Sequence, residues 1–312
     1  MTQNTKLNKA FKEKDDEFYT QIKDIELELA NYKSAFNKKK ILCNCDDYKK
    51  SNFVRYFAEN FDKLGIDSIT AISYNNAKNT NVVKIKRNIE NYDIAVQNND
   101  KRLKCKQVAH NGDFRNKESI ELLKKSDIVV TNPPFSLFRA FIDILINYNK
   151  KFLIIGNCNA ISYKNCFSYI VKNKMWIGNN CIRWFKRPNG LLSEAARSYW
   201  FTNLKTDKER NFYLLETKYQ PDIHLEYDNY IAIEVSKVKN IPMDYLGVMG
   251  VPLTFLEKYN PAQFEILGMD FYVKDGNLDL AKKSWNGKLD RAYLNGKRMY
   301  SRILIQQKQI MN

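Results

Sequence analysis

The segment DIVVTNPPFSLFRAFIDILINYNKKFLIIG, residues 127–156, contains two short apolar runs separated by a longer amphipathic stretch. The runs DIVVT at 127–131 and KFLIIG at 151–156 have the length and composition of buried strands. Between them, LFRAFIDILINY at 137–148 has apolar residues at helical spacing. A strand, a helix and a second strand in this order indicate a parallel α/β fold.

The same alternation continues toward the N-terminus. We predict strands at 38–45, 68–74 and 105–109, and helices at 15–36, 51–64 and 118–125. The polar, Asn-rich segment 75–104 interrupts the alternation and indicates an insertion or a long loop. After about residue 205 the pattern changes to strands and loops punctuated by Pro and Gly. We therefore predict a sheet with helices on both faces in 1–205 and a second region in 206–312.

Unusual polar sequences follow three of the predicted strands. They are CNCDD at 43–47, NGDF at 111–114 and NPPF at 132–135. Ligands of open α/β sheets bind beyond the carboxyl ends of the strands. The shared placement of these sequences predicts that they form one site.

The tetrapeptide Asn132-Pro133-Pro134-Phe135 suits methyl transfer to a planar amine such as that of adenine. This amine is a poor nucleophile because its lone pair is delocalised, and two acceptors on its N–H bonds would draw it toward tetrahedral geometry. Asn132 offers a side-chain carbonyl and Pro133 a backbone carbonyl, and the two prolines hold these acceptors in place. Phe135 offers a flat face for an extruded base. We predict that all four residues are catalytic.

The tetrapeptide alone leaves its substrate open. Very similar sequences serve enzymes that methylate a glutamine amide or a guanine amine, because the electronic problem is the same. N-P-P also terminates a strand, so a structural turn is the other interpretation. The position of the motif after a buried strand favours the catalytic interpretation.

The charge of the chain indicates a polyanionic partner. Lys and Arg number 51 against 35 Asp and Glu, which gives a net charge of +16. Such a balance suits a nucleic acid. A lysine-rich solvated surface is the alternative.

Other classes of protein are disfavoured by the composition. No apolar run reaches roughly 18 residues, and the polar N-terminus lacks a secretory signal, so we expect a cytoplasmic protein without a membrane segment. The six cysteines and two histidines lack zinc-site spacing, so we expect no metal. Nothing in the sequence indicates an obligatory protein partner.

Over nearly its whole length the chain resembles the EcoRI-type adenine-specific DNA methyltransferases. The resemblance implies S-adenosylmethionine as methyl donor, a Rossmann-like catalytic domain over 1–205, a smaller DNA-recognition region over 206–312, and duplex DNA from a bacterial or phage-like restriction–modification setting as substrate. The segments that carry it are DEFYTQIKDIE at 16–26, ILCNCDDYKKSNF at 41–53, NGDFR at 111–115, IVVTNPPFSLFR at 128–139, WFKRPNG at 184–190, YWFTNL at 199–204, the long run at 227–268, and NGKRMYSRILI at 295–305.

The resemblance also implies a cofactor-covering element over 15–36. Within it, Phe18, Tyr19 and Thr20 match residues that fold over the methionine end of the cofactor. Physically they offer an aromatic face and a hydroxyl to a sulfonium and an ammonium. A helix start with Phe18 and Tyr19 packed in the core is the alternative.

Further cofactor contacts follow from the strand ends. Asp46 matches the acidic residue near the amino group of the cofactor, with Asp47 as the less favoured alternative and Asn44 beside them; a helix cap is the structural interpretation. Asp113 matches the residue near the cofactor adenine, and Phe114 would pack on that ring, although Gly-Asp is also a common turn. Asn132 also borders the predicted cofactor site.

Two further expectations concern the target base and the cofactor ribose. Phe135 should stack on the extruded adenine, with Trp184 or Phe185 on its other face. The usual glycine-rich loop is absent after the first strand, in agreement with this family. SYNN at 73–76 replaces the acidic residue that usually contacts the ribose.

Three functions compete at this point. The leading one is a site-specific DNA adenine-N6 methyltransferase. An RNA adenine or protein-glutamine methyltransferase would use the same NPPF chemistry, and a catalytically inactive DNA-binding relative is the third. The net charge argues against a protein substrate, the C-terminal resemblance against RNA, and the intact NPPF against inactivity.

Overall fold

A computed structural model describes residues 19–75, 79–186, 191–207, 212–275 and 278–309. The chain divides into two compact units, Met1–Lys208 and Glu209–Asn312. Phe18, one of the predicted cofactor contacts, lies outside the described residues. Among the described helices, none has the length and apolarity needed to cross a bilayer.

The first unit is built on an eight-stranded sheet with the order β4-β3-β2-β1-β5-β6-β8-β7. Its strands are β1 Lys40–Cys43, β2 Ser68–Ile72, β3 Thr80–Ile85, β4 Lys104–Val108, β5 Ile128–Thr131, β6 Lys151–Asn157, β7 Trp176–Lys186 and β8 Leu192–Thr202. The four central strands β2, β1, β5 and β6 are parallel, as predicted. The outer strands β3, β4, β8 and β7 pair antiparallel, so the sheet is mixed rather than fully parallel.

Among its described residues, the first unit has seven α-helices. They are α1 Ile22–Leu29, α2 Asn52–Glu59, α3 Phe61–Leu64, α4 Tyr92–Gln97, α5 Lys117–Lys125, α6 Phe138–Asn147 and α7 Lys164–Val171. The predicted helix over 51–64 is divided at Asn60, whose backbone leaves the helical region.

Two sequence-based expectations about local structure are wrong. The element at 15–36 is not one helix, because Tyr19 pairs with Lys186 as an extended segment and α1 begins only at Ile22. The segment 75–104 is not a long loop, because it contains β3 and α4 and leads into β4. The segment was predicted to be a loop because it is polar. Its strands are polar because the outer strands of a sheet have fewer buried positions than the central ones.

The sheet places its apolar residues on two faces. One face belongs to a single core with α1, α2 and α4, and its strand residues include Ile41, Cys43, Ile69, Ala71, Val83, Ile85, Ile128 and Val130. Leu42 and Val129 alternate with these residues along β1 and β5. They are paired with each other and are buried on the other face of the sheet. Ser51 begins α2 by accepting hydrogen bonds from the amides of Phe53 and Val54.

Glu28 fastens α1 to the sheet. Its buried carboxylate accepts hydrogen bonds from the Asn179 amide at 2.9 Å, the Asn180 amide at 2.9 Å and the Tyr32 hydroxyl at 2.9 Å. The amides belong to the stretch of β7 where its register against β8 shifts, so they point toward the helix instead of a neighbouring strand. Burial raises the pKa of this carboxyl.

Replacing Glu28 with alanine is expected to lower the free energy of unfolding by about 3–5 kcal/mol, because several buried donors lose their acceptor together. Glu26→Ala is the matched control, since Glu26 lies exposed on the same helix; it should change stability by less than about 0.5 kcal/mol. Urea titration of the three proteins measures both values. Equal losses for the two variants would contradict the anchoring role.

The second unit has its own sheet, with the order β11-β14-β10-β9, and a separate two-stranded hairpin, β12-β13. Its strands are β9 Ile233–Glu234, β10 Met249–Val251, β11 Phe264–Met269, β12 Tyr293–Leu294, β13 Lys297–Arg298 and β14 Ile303–Gln307. Tyr227 and Tyr230 are fully buried in its core. Arg302 and Glu234 form a buried ion pair at 2.7 Å, and the Tyr227 hydroxyl donates to Glu234.

Candidate active site

The site lies where the order of the parallel strands reverses. β1 has β2 on one side and β5 on the other, so the loops that follow β1 and β5 diverge at their carboxyl ends. A crevice at such a reversal is the usual ligand site of an open α/β sheet. CNCDD follows β1 and NPPF follows β5, so the topology brings the two predicted sequences to the same crevice.

A cleft of about 1070 Å³ opens at this position. Nearly all of the described residues predicted for the site line it, namely Tyr19, Thr20, Asn44, Asp46, Asp47, Asp113, Phe114, Asn132, Pro133, Pro134 and Phe135. Four separate stretches of sequence therefore converge, and the positions of the strands predicted this for three of them, at 44–47, 113–114 and 132–135. The volume is at the upper end for a small-molecule pocket, which allows a cofactor and part of a second molecule together.

Asp46 links the two strand ends. Its buried carboxylate accepts a hydrogen bond from the Ser51 hydroxyl at 2.7 Å and another from the hydroxyl of Thr131, the residue directly before Asn132. Burial raises the pKa of Asp46 to about 6, although both hydroxyls lower it. A carboxylate that burial destabilises in this way gains more than an exposed one from a cationic ligand.

Tyr19 and Thr20 are held at the cleft by two neighbouring elements. The backbone amide and carbonyl of Tyr19 both pair with Lys186 at 2.9 Å. The Asn52 side chain donates to the Thr20 carbonyl at 2.8 Å. The Thr20 hydroxyl oxygen and the Asn44 amide oxygen are both buried and, among the described residues, neither has a hydrogen-bond partner. Two buried polar atoms in one cleft indicate that a polar ligand satisfies them.

The NPPF sequence forms a tight turn out of the sheet. Asn132 follows the last residue of β5, and its side-chain oxygen is shielded from solvent. Pro134 is extended and accepts a hydrogen bond from the Leu137 amide at 3.0 Å, which closes a short 3-10 turn over Phe135–Leu137. The Phe135 ring packs edge-on against Phe185, with ring centroids 6.1 Å apart. The two prolines thus fix the direction in which Asn132 and Phe135 enter the cleft.

The NGDF sequence forms another part of the cleft wall. Gly112 has a φ of +77°, and a Cβ atom there would lie 2.1 Å from the Ser73 carbonyl oxygen, so the turn requires glycine. Asp113 forms a two-pronged ion pair with Arg115, at 2.9 and 2.6 Å. These hydrogen bonds lower the pKa of Asp113. Phe114 is buried and packs edge-on against Phe141.

Trp184 and Phe185 differ in accessibility. Trp184 is 47% exposed, whereas Phe185 has no exposed surface and belongs to the core. Neither residue is part of the cleft wall as described. In this conformation both faces of the Phe185 ring are covered, so of the two only Trp184 is open to a base. Phe185 instead supports Phe135 from behind.

Comparisons with known proteins now decide the family. The model of the family "Adenine-specific methyltransferase EcoRI" matches residues 6–308. This chain belongs to that family. The sequence-based prediction of a site-specific DNA adenine methyltransferase is thereby confirmed.

Full-length relatives agree with the family match. The chain is 42% identical to the Type II methyltransferase M.EcoRI of Escherichia coli, with 98% of each chain covered. It is 38% identical to M.MgeORF184P of Mycoplasma genitalium, over 97% of this chain and 99% of the relative. It is 37% identical to M.MpnI of Mycoplasma pneumoniae, over 97% and 98%. No solved structure gives a significant match to this chain.

Three residues that contact the predicted site residues had not been predicted from the sequence. Thr131 places a hydroxyl at the end of an otherwise apolar strand. From the sequence it was predicted only as the last strand residue, although this hydroxyl could have indicated a polar contact. Ser51 carries the signature of a helix cap, which hides its second hydrogen bond to Asp46. Arg115 had no signal of its own, because its pairing with Asp113 depends on the turn at Gly112.

Proposed function

We propose that this family member transfers a methyl group from S-adenosylmethionine to the N6 amine of an adenine extruded from duplex DNA. The observation that carries the proposal is the convergence of NPPF, Asp46 and Thr20 in one cleft at the strand reversal. In this proposal the cofactor's amino group binds at Asp46 and the target amine at Asn132, and the hydrogen bond from Thr131 to Asp46 joins these two elements directly.

The donor set of the cleft fits this cofactor. Asp46 is a buried carboxylate suited to the cofactor's ammonium group. The buried oxygens of Thr20 and Asn44 can each accept a hydrogen bond from it. Tyr19 and Phe114 supply aromatic surface to the sulfonium and the adenine ring. When bound, the cofactor supplies an electrophilic methyl group.

In this proposal the Asp113 carboxylate binds both Arg115 and the cofactor adenine. Asp113 already receives three hydrogen bonds from Arg115, two of them at Oδ1, so a second lone pair is available only at Oδ2. In this proposal the exocyclic amine of the cofactor adenine donates a hydrogen bond to the remaining lone pair of the Asp113 carboxylate, while Arg115 keeps Asp113 ionised. Tyr74 and Asn75 also line the cleft and take the place of the acidic residue that usually contacts the ribose.

Asn132 and Pro133 act on the target amine. Their carbonyl oxygens accept hydrogen bonds from its two N–H groups. These bonds favour the tetrahedral geometry that exposes the nitrogen lone pair. A neutral amide oxygen holds an N–H without removing the proton, so the amine remains intact until the new carbon–nitrogen bond forms. Because the prolines fix both acceptors before the reaction, little reorganisation is needed as charge develops.

The remaining assignments concern the substrate and the cell. Duplex DNA is the partner, the region 206–312 contributes recognition of its sequence, and the cytoplasm is the place of action. Relatives from three bacteria support the setting.

Transfer of label from methyl-labelled S-adenosylmethionine tests the proposal. Unmodified duplex DNA of mixed sequence should accept label, and its hydrolysate should contain N6-methyladenine. RNA and total cell protein serve as competing substrates in parallel reactions. Label in RNA or in glutamine, with none in DNA, would replace the proposal by one of the alternatives, and no transfer at all would indicate an inactive relative.

Replacing Phe135 with alanine should weaken the stabilisation of the extruded adenine by about 1–3 kcal/mol, the usual worth of one base–aromatic stack. Phe135→Trp retains a flat face and should keep most of the activity. Phe135→Leu is the control for packing, because leucine fills the space beside Phe185 without a ring. Steady-state kcat/KM on duplex DNA measures the loss. Equal activity of the leucine variant and the wild type would contradict stacking.

A further inference from the structure

The excess positive charge of the chain is concentrated in one unit. Residues 1–208 contain 37 Lys and Arg against 22 Asp and Glu, whereas residues 209–312 contain 14 against 13. The region assigned to sequence recognition is therefore nearly neutral. Phosphate contacts, which dominate the affinity of proteins for DNA, should come mainly from the catalytic unit.

A strip of exposed lysines lies at the edge of the catalytic sheet. We call Lys84, Lys104 and Lys106 the basic edge. β4 is the outermost strand, and its register against β3 places Lys104 directly opposite Lys84 and Lys106 opposite Val82. Opposed residues of antiparallel strands share a face, as do residues two apart. The three lysines therefore point to the same side of the sheet, and all are exposed.

The two faces of this hairpin are covered differently. Val83 and Ile85, on the face opposite the lysines, are fully buried in the core that includes α4. On the lysine face, Val82 and Thr70, the β2 partner of Lys84, remain partly exposed, whereas Ile72, the β2 partner of Val82, is buried. The outer part of this face, at Lys84 and along β4, is therefore open to solvent.

The arrangement carries an electrostatic cost within the protein. Like charges directly opposite each other destabilise a strand pair. Among the described residues, none of the three lysines forms an ion pair with a carboxylate. Nearby arginines are neutralised, since Arg102 pairs with Asp100 and Arg115 with Asp113. A bound anion outside the chain would offset this cost.

We propose that the basic edge binds backbone phosphates of the DNA whose adenine enters the cleft. The inference rests on the proposed function and adds a surface to it. Thr80, on the lysine face of β3, and the paired Asn81 and Gln107, on the other face, all line the cleft at the end of these two strands. From Gln107 to Lys104 the strand rises about 10 Å. A duplex positioned at the cleft therefore has phosphates within reach of the edge.

A second explanation exists for lysines on an outermost strand. Charged side chains there keep sheet edges of different molecules from pairing. The two explanations differ in what is lost on neutralisation: DNA affinity and its salt dependence in the first, and the monomeric state in the second.

The experiment compares three triple variants. The first is Lys84→Gln, Lys104→Gln, Lys106→Gln. The control is Lys39→Gln, Lys63→Gln, Lys174→Gln, three exposed lysines of the same unit that precede strands at the sheet end away from the cleft. A third variant with arginine at the three edge positions retains the charge. DNA binding is titrated from 50 to 300 mM salt, in parallel with cofactor binding and with size-exclusion chromatography.

The edge variant should lose about 0.9 of log–log salt slope for each phosphate contact removed, up to about 3 in total. Its cofactor affinity and its turnover at saturating DNA should match the wild type, and the control and arginine variants should keep the full slope. An unchanged slope in the edge variant overturns the proposal, and self-association alongside it assigns the lysines to edge protection. If the wild type itself methylates no DNA, the proposed function fails first, a result distinct from failure of the basic edge alone.

Discussion

Replacing Asn132 with alanine is expected to slow methyl transfer at least about a hundredfold while cofactor and DNA bind almost as in the wild type. The bond from the target amine to the Asn132 oxygen strengthens as the nitrogen becomes tetrahedral and positive, so its loss raises the barrier more than it weakens the ground state. Loss of one such preorganised partner commonly costs about 10²–10³ in rate. Single-turnover kinetics with pre-bound DNA isolates this step.

Asn132→Asp provides the sharper comparison. It keeps an acceptor at the same position and adds negative charge, so it should be faster than the alanine variant. The neighbouring Asp46–Thr131 link should survive both changes, because neither atom of that hydrogen bond belongs to Asn132. An alanine variant that failed to bind DNA but kept its single-turnover rate would assign Asn132 to the turn alone.

Replacing Asp46 with asparagine should weaken cofactor binding by about 1.5–3 kcal/mol, the range for a hydrogen bond to a charged group, or roughly tenfold to a hundredfold. The binding form is the carboxylate, and in the free protein burial raises the pKa of Asp46 to about 6. The wild-type Kd should therefore be nearly flat from pH 7 down to about 6 and then rise as Asp46 is protonated. The asparagine variant should show no such rise. Isothermal titration between pH 5 and 7 covers this window while the cofactor's amino group stays protonated.

Asp47→Asn is the matched control for this prediction. Asp47 is the adjacent carboxylate, and in the structure it accepts from the Lys49 amide instead of joining the Asp46 network. Its replacement should change cofactor affinity less than about threefold and should leave the pH dependence intact. Asp113 does not disturb the measurement, since Arg115 keeps its pKa below the ordinary value. A pH-dependent Kd that persists in Asp46→Asn would contradict the assignment.

The sequence alone determined the parallel centre of the sheet and the end of it that holds the site. β1, β5 and β6 are short apolar runs whose neighbours are helical, and such runs have few alternatives to a buried parallel strand. Because parallel strands end on the same side, the polar sequences after β1 and β5 had to meet. The family and its reaction could also be predicted from the sequence, because NPPF and the long C-terminal resemblance depend only on which residues are present.

Only the tertiary structure decided the outer strands and the partners within the site. The segment 75–104 has few apolar residues, and it forms β3 and α4 because Val83, Ile85 and Tyr92 complete a core whose other members lie far away in sequence. In the same way, the union of Asp46 with Thr131 spans 85 residues and the pairing of Tyr19 with Lys186 spans still more. The local sequence pattern indicates whether a segment forms a strand or a helix. Contacts between distant residues depend on which strands become neighbours, and this is determined by the packing of the whole sheet.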